Sequence, residues 1–186
     1  PHTYSSITVC HNIKHKANID LYLQDIYKHK TKKINVLALC IVTREAYKSM
    51  KERNVTDGHI IQVSSWGGHV ILDTPLANFY TATKHMVKTL LFGLRNEIRA
   101  TGTHIRVSEI SPGGVVTNFT TRAAGEEVAK ALESAFKMLS PEDVANNIIF
   151  MLGAPPHVEL FEMILLPTEQ YDTKLVNAMQ NVLPSE

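Results

Sequence analysis

Residues 59–84 read HIIQVSSWGGHVILDTPLANFYTATK, and this stretch decides how the fold is interpreted. It opens with a short apolar run that ends in Ser64 and Ser65, which is typical of a buried strand. Tyr80 follows Ser65 by fifteen residues, and Lys84 follows Tyr80 by four, at the start of an amphipathic helical pattern. Residues four apart lie on one face of a helix. A serine at a strand end and a tyrosine–lysine pair at a helix start are therefore expected to meet at one edge of a sheet.

These three side chains suit proton exchange with an oxygen atom. A phenol with a pKa near ~10 is a poor base at neutral pH, and a nearby ammonium lowers that pKa by favouring the phenolate. The Ser65 hydroxyl can donate a hydrogen bond to a carbonyl oxygen and stabilise developing negative charge. The set therefore predicts the interconversion of an alcohol and a carbonyl. The alternative is a surface tyrosine and lysine on an amphipathic helix, which the preceding strand and serine disfavour.

The spacing of tyrosine and lysine is not informative without this context. Tyr47 and Lys51 are also four residues apart, yet no strand ending in serine precedes them. We interpret that pair as part of an exposed helix face.

Composition is that of an ordinary globular domain. The chain has 186 residues, of which 44% are hydrophobic and 20% charged, and this length suits one domain. A net charge of +1 gives no overall attraction to nucleic acid or to membranes. Cys10 and Cys40 lie far apart, which fits a reducing compartment. No apolar run approaches the ~18 residues of a membrane span, and the N-terminus lacks the layout of a signal peptide. We therefore expect a cytoplasmic protein.

The pattern from residue 34 onward alternates between helix and strand. Such alternation predicts an α/β fold with a parallel sheet and crossover helices. Ser140 as an N-cap, followed by Pro141 at the first helical position, predicts one helix start clearly. Strands are predicted at 59–63, 105–110 and 160–166, and helices at 35–53, from 78 or 80 to 99, at 126–139 and at 141–152.

The first 33 residues differ from the rest. Residues 11–33 contain six lysines and three histidines with few clustered apolar residues. We interpret 1–33 as a divergent or poorly ordered N-terminal segment rather than an arm that binds nucleic acid, because basic patches are common and unspecific. Residues 34–186 then form the folded part, and no nucleic-acid partner is expected.

From Asn35 to Gln170 the sequence resembles the short-chain dehydrogenase/reductases. Within that family the pattern is most similar to the animal branch called dehydrogenase/reductase member eleven and to insect farnesol (NADP) dehydrogenases. The resemblance implies a Rossmann-like parallel sheet with flanking helices, truncated to roughly its C-terminal half. The segments that carry it are 35–39 (NVLAL), 43–47 (TREAY), 58–61 (GHII), 79–84 (FYTATK) and 167–170 (PTEQ).

The resemblance also implies roles for individual residues. Tyr80 would be the general acid and base, Ser65 would orient the carbonyl, and Lys84 would lower the pKa of Tyr80 and bind the nicotinamide ribose. Asn35 would hold a water that links Lys84 to solvent. The wall beside the nicotinamide would be formed by Pro112, Gly113, Val115 and Thr117.

The implied reaction needs a nicotinamide cofactor, NADP or NAD, because side chains carry no hydride donor. The implied substrate is a small lipophilic alcohol or carbonyl compound of the steroid or isoprenoid type, to which Phe119 and Met138 add apolar surface. The helices that begin near Asn35 and Tyr80 would form a homodimer interface. No metal ligand set is expected, since the nine histidines show no metal-binding spacing.

One departure from the family pattern is large. No glycine precedes Gly58, so the Gly-rich turn that binds the cofactor pyrophosphate is absent from the first third of the chain. Residues 7–12 are either a remnant of an earlier strand or an unrelated segment. The chain is therefore interpreted as a fragment, a divergent paralogue or a mis-assembled gene model. The alternative function is a non-catalytic half-domain for dimerisation or partner binding, and an open sheet edge predicts marginal stability as a monomer.

Two further residues are left with open alternatives. Glu109 lies within a predicted strand, where a carboxylate is costly unless it is paired. It is expected to pair with Arg106 or a helix residue, or to lie near the edge of the sheet. Trp66, directly after Ser65, lines a substrate pocket or serves in packing.

Overall fold

A parallel three-stranded sheet forms the centre of the molecule, as the sequence predicts. The computed structural model describes residues 29–72 and 74–182. The strands are β1 (His59–Val63), β2 (Arg106–Pro112) and β3 (Glu162–Leu165), in the spatial order β1-β2-β3. Val63 is paired with Ile110, and Pro112 is paired with Leu165. The carboxyl ends of the strands therefore lie together at one edge.

Two long helices position the catalytic candidates. Helix α1 is a continuous helical run made of His29–Lys32, a π-helical stretch Lys33–Ala38 and Leu39–Glu52, and helix α2 is Pro75–Ala100. Helix α1 crosses the predicted boundary between residues 33 and 34. Most of the predicted N-terminal segment, including the proposed strand remnant at 7–12, lies outside the described residues.

Shorter helices complete the described fold, and none of the described helices has both the length and the apolar character needed to cross a membrane. Ser140 is the N-cap of α5, as predicted, and forms a capping box with Asp143, and Gly153 ends that helix as predicted. The shorter helices are α3 (Asn118–Ala124), α4 (Glu126–Ala135), α5 (Pro141–Leu152) and α6 (Asp172–Gln180).

Several predicted boundaries were wrong. Helix α2 begins at Pro75, because Thr74 is extended and proline favours the first turn of a helix. Tyr80 therefore lies in the second turn, not at the helix start. Helix α4 ends at Ala135, since Phe136 turns to an extended conformation and packs in the core. The sequence missed α3 and α6, and the last strand is shorter than predicted.

The core lies where α2 covers the sheet. Leu91 and Ile98 of α2 are buried against Ile60, Ile105 and Val107. This packing fixes the rotation of α2, so the face that carries Tyr80 and Lys84 meets the carboxyl end of the sheet. A second cluster joins the later helices, and its buried members include Leu72, Val128, Leu132, Phe136 and Leu175.

One edge of the described sheet is open. Within the described residues β1 pairs only with β2, and Val63 is 53% exposed. Apolar side chains of α1 also face solvent, with Ile34, Leu37 and Val42 all more than half exposed. The exposed sheet edge and apolar helix face that the sequence predicts are therefore present in this part of the chain.

Candidate active site

Ser65 lies two residues beyond the end of β1, where the chain enters a 3₁₀ turn at Trp66–Gly68. Its backbone is extended, and its Oγ accepts a hydrogen bond from the amide of Gly67 at 3.2 Å. A Cβ at position 67 would lie 3.3 Å from Cε1 of Tyr80 and 3.6 Å from Oγ of Ser65. The absence of a side chain at Gly67 thus lets the Tyr80 ring lie beside the Ser65 hydroxyl.

The pKa of Tyr80 moves opposite to the sequence-based expectation. Burial raises the pKa of the Tyr80 phenol, and a hydrogen bond with Ser65 opposes this rise. Lys84 has its Nζ 5.8 Å from the centroid of the Tyr80 ring and donates to the carbonyl oxygen of Val63 at 3.4 Å. Because burial disfavours the phenolate, Ser65 is the neighbour that favours it in this arrangement.

Lys84 is itself partly buried. Burial lowers the pKa of the Lys84 ammonium, and the charge of Glu109 raises it in opposition. Lys84 and Asn35 line the same open cleft, with a volume of about 280 Å³. The other residues that line the cleft are Ile34, Ala38, Leu39, Val42 and Val63.

Asn35 contacts the catalytic helix through Thr83, a residue that the sequence analysis did not single out. The Asn35 Nδ2 donates to Oγ1 of Thr83 at 3.2 Å, and that hydroxyl donates to the Tyr80 carbonyl oxygen at 2.6 Å. Asn35 lies in the π-helical stretch of α1, a form of helix that is frequent at functional sites. The structure therefore brings Asn35 together with Lys84, and the sequence signal for Thr83 is its position next to Lys84.

The loop after β2 carries the residues predicted to lie beside the nicotinamide. Pro112 is the last residue of β2, and the Gly113 amide donates to the Leu165 carbonyl at 2.8 Å. Val115 forms a bridge with Leu139, and Thr117 caps α3 by accepting from the Phe119 amide. These contacts hold the loop between β2 and β3.

Phe119 and Trp66 add aromatic surface around this loop. The ring of Phe119 lies 5.6 Å from the ring of Tyr80 and is exposed, so it forms one wall of the space beside the phenol. Trp66 stacks on His69 at 5.9 Å and donates from Nε1 to Oδ1 of Asp172 at 2.7 Å. Of its two alternatives, this geometry favours packing, since the indole ties the turn after Ser65 to α6.

Tyr47 and Lys51 have the same spacing as Tyr80 and Lys84 but do not form a similar arrangement. Tyr47 is partly buried and packs against the core beneath α2, whereas Lys51 is exposed. The expectation of a fully exposed face was thus wrong for Tyr47, which the core needs as an apolar surface. The same spacing therefore leads to different surroundings: Tyr80 and Lys84 lie next to Ser65 and the end of β1, whereas Tyr47 and Lys51 do not.

Ser65, Tyr80 and Lys84 meet at the carboxyl edge of a parallel sheet, and the family profile described as short chain dehydrogenase matches residues 13–128. The chain belongs to the short-chain dehydrogenase family. The profile match begins well before residue 34, so it includes much of the segment that the sequence analysis set apart.

Two curated relatives share extended identity with this short-chain dehydrogenase. Human "Dehydrogenase/reductase SDR family member 11" is 48% identical over 139 residues, which cover 74% of this chain and 54% of that protein. "Farnesol dehydrogenase" of Aedes aegypti is 37% identical over 133 residues, which cover 72% of this chain and 51% of that protein. The chain thus spans about half the length of the curated relatives it matches.

A solved structure supports the fold assignment. The closed form of serine dehydrogenase, complexed with NADP+, superposes with a TM-score of 0.65 at 31% identity, over 75% of this chain and 55% of that one. The described sheet and helices therefore correspond to part of a short-chain dehydrogenase domain.

Proposed function

We propose that this chain carries the acid–base residues of an NAD(P)-dependent oxidoreductase that interconverts an alcohol and a carbonyl. The observation that carries the proposal is the convergence of Ser65, Tyr80 and Lys84, with the phenol over Gly67 and next to the serine hydroxyl. None of these side chains transfers a hydride, but together they handle the proton and the charge on a substrate oxygen.

Each residue has a distinct role in the proposal. The Tyr80 hydroxyl passes its proton to the substrate oxygen in the reducing direction and takes it back in the oxidising direction. The Ser65 hydroxyl donates a hydrogen bond to the same oxygen and helps to stabilise the phenolate of Tyr80. Lys84, as a partly buried cation, supplies positive charge to the site, and Asn35 lies at the cleft through which a water could reach it.

The described residues fit the nicotinamide end of a cofactor. Lys84 is a partly buried donor with one hydrogen-bond partner among the described residues, at 3.4 Å, so it has donors left for ribose hydroxyls. Pro112, Gly113, Val115 and Thr117 would form the wall beside the nicotinamide. When bound, the nicotinamide supplies or accepts the hydride. NADP is proposed, with NAD as the alternative.

The proposed substrate is a small lipophilic alcohol or its carbonyl form, of steroid or isoprenoid type. The support is the exposed Phe119 ring beside Tyr80, and Met138, whose Cε would lie 3.2 Å from a Cβ at Gly114. The related mosquito protein bears the name farnesol dehydrogenase. A cytoplasmic location is also proposed. The support is that Cys10 and Cys40 lie far apart in the sequence and form no C-x-x-C pair.

A second function is favoured by a different observation. Ile34 and Val42 expose apolar surface on α1, and β1 presents an open edge within the described part of the chain. Such a surface suits a non-catalytic half-domain that dimerises or binds a partner through α1 and α2.

Titration with NADPH separates the two functions. The chain is titrated by calorimetry or by cofactor fluorescence, with Lys84→Met as the test variant and Lys51→Met as the matched control. Saturable binding that is lost in Lys84→Met and kept in Lys51→Met supports the oxidoreductase. Absence of binding at millimolar NADPH in the folded wild-type chain contradicts it and leaves the half-domain.

A further inference from the structure

Glu109 is a fully buried carboxylate on the central strand. Its side chain is 0% exposed, and it lies on β2 between Gln62 of β1 and Glu162 of β3. Its Oε1 accepts a hydrogen bond from Oγ of Ser111 at 2.7 Å, whereas its Oε2 has no hydrogen-bond partner among the described residues. A buried charge in this position is unfavourable unless a counter-charge compensates for it.

The neighbouring hydrogen bonds have a fixed direction. Lys88 lies with its Nζ 3.1 Å from Nδ1 of His69, and an ammonium can only donate, so Nδ1 accepts. Neutral His69 then carries its proton on Nε2, which lies 2.9 Å from Oγ of Ser111 and donates to it. The Ser111 hydroxyl in turn donates to Glu109. Three donors in series point toward Glu109, so its Oε1 acts as an acceptor.

Lys88 and Glu162, at the outer end of this group of hydrogen-bonded side chains, carry opposite charges that balance. Lys88 has its Nζ 2.9 Å from Oε1 of Glu162, so that pair is balanced. Burial and the charge of Lys88 lower the pKa of His69, which keeps the imidazole neutral. The His69 Nε2 also lies 3.6 Å from Oε1 of Glu109, but a neutral imidazole supplies no positive charge to that carboxyl.

Lys84 is the positively charged candidate partner for Glu109. It lies four residues before Lys88 on the same face of α2, and within the described residues it has no carboxylate within salt-bridge distance. The titratable groups on the neighbouring elements are Tyr80 and Lys88 on α2, His69 just after the 3₁₀ turn, Glu109 on β2 and Glu162 on β3. Of these, Glu109 is the acid whose charge raises the pKa of Lys84 against the effect of burial.

We propose that Glu109 is the buried counter-charge of Lys84, with its free Oε2 facing the ammonium through one water. Glu109 is then a positioning residue that keeps Lys84 cationic inside the cleft, and Ser111, His69 and Lys88 hold the carboxylate in place. The inference deepens the proposed function, because a cationic Lys84 is what that chemistry uses. Its test measures the titration of Lys84 and does not depend on turnover.

The titration of Lys84 is measured by competitive acetylation across pH, with each lysine quantified by mass spectrometry. The variants are Glu109→Gln, which keeps the shape and removes the charge, and Glu162→Gln as the matched control. Glu109→Gln is expected to lower the midpoint of the Lys84 titration by about one pH unit. Glu162→Gln is expected to shift Lys88 and leave Lys84 in place. An unchanged Lys84 midpoint in Glu109→Gln overturns the proposal.

A stability measurement covers the case in which Glu109→Gln does not fold. Denaturant unfolding is compared for the wild type, Lys84→Met, Glu109→Gln and the double variant. Removing both charges is expected to destabilise less than the sum of the single changes, or to restore folding where Glu109→Gln alone is unfolded. Additive effects, or a double variant no more folded than Glu109→Gln, overturn the proposal. An inactive wild type with coupled Lys84 and Glu109 would contradict the proposed function alone.

Discussion

The side-chain oxygen of Gln170 accepts a hydrogen bond from the backbone amide of Gly114 at 2.8 Å and fills the space beside Gly113. Gln170 is the last residue of the 167–170 segment, Pro-Thr-Glu-Gln, which marks the family resemblance. Its contact ties the segment after the last strand to the loop that follows β2.

We expect Gly113→Ala to destabilise the protein. A Cβ at position 113 would lie 2.5 Å from Oε1 of Gln170, so the glutamine must move and give up its hydrogen bond. The expected loss is about 1 kcal/mol or more in the free energy of unfolding. Gly93→Ala is the matched control, since no atom lies within 4 Å of its Cβ and alanine favours the helix by about 0.5–1 kcal/mol. If Gly113→Ala lowered the free energy of unfolding of a Gln170→Ala variant by as much as it lowers that of the wild type, this explanation would be contradicted.

Tyr80→Phe is expected to lower any carbonyl reductase activity roughly a hundredfold or more, since the proton donor is removed. The ring and its packing on Gly67 and Phe119 stay, so the unfolding midpoint is expected to change little. Tyr47→Phe, which alters the other tyrosine with a lysine four residues later, should retain activity. The measurement is NADPH oxidation with a panel of lipophilic carbonyl compounds, and comparable rates for the two variants would remove Tyr80 from the mechanism.

Stability is expected to fall as the pH drops below about 6.5, the ordinary histidine pKa. Burial lowers the pKa of both His59 and His69, with Arg106 and Lys88 adding to the effect respectively. In that pH window the unfolded chain binds protons that the folded chain does not, so acid favours unfolding. His69→Gln should flatten this dependence, while His157→Gln, at an exposed position, should not. If the stability of His69→Gln fell more steeply with decreasing pH than that of the wild type, His69 would not be a source of this pH dependence.

Val42→Glu is expected to reduce self-association without lowering monomer stability, because the side chain is 65% exposed on the apolar face of α1. Ile149→Glu on α5, at the same exposure of 65%, is the matched control for added charge. Sedimentation and thermal unfolding of both variants measure the effect. The predicted marginal stability of the monomer is checked in the same experiment, and a cooperative melt at high temperature would contradict it.

Much of this molecule is determined by local sequence. The apolar run of β1, the helical spacing of Leu91 and Ile98, and the Ser140–Asp143 capping box are short-range patterns with one favoured structure. They were sufficient to predict the parallel sheet and to single out Ser65, Tyr80 and Lys84. Boundaries failed where a distant contact overrides local preference, as when Phe136 leaves its helix to enter the core.

The electrostatics were decided by the tertiary structure. The spacing of Tyr80 and Lys84 predicts that they share a helix face, but not how deeply that face is buried. Burial raises the pKa of Tyr80 and lowers the pKa of Lys84, so it favours the neutral form of each. The sequence likewise left three alternatives for Glu109: pairing with Arg106, pairing with a helix residue, or a position near the edge of the sheet. The structure excludes the first and the third. Arg106 donates to the carbonyls of Ala154 and Val158, β2 is the central strand of the described sheet, and Glu109 accepts from Ser111. Solvent exclusion and the approach of distant charges depend on the whole packed structure, and no local pattern encodes them.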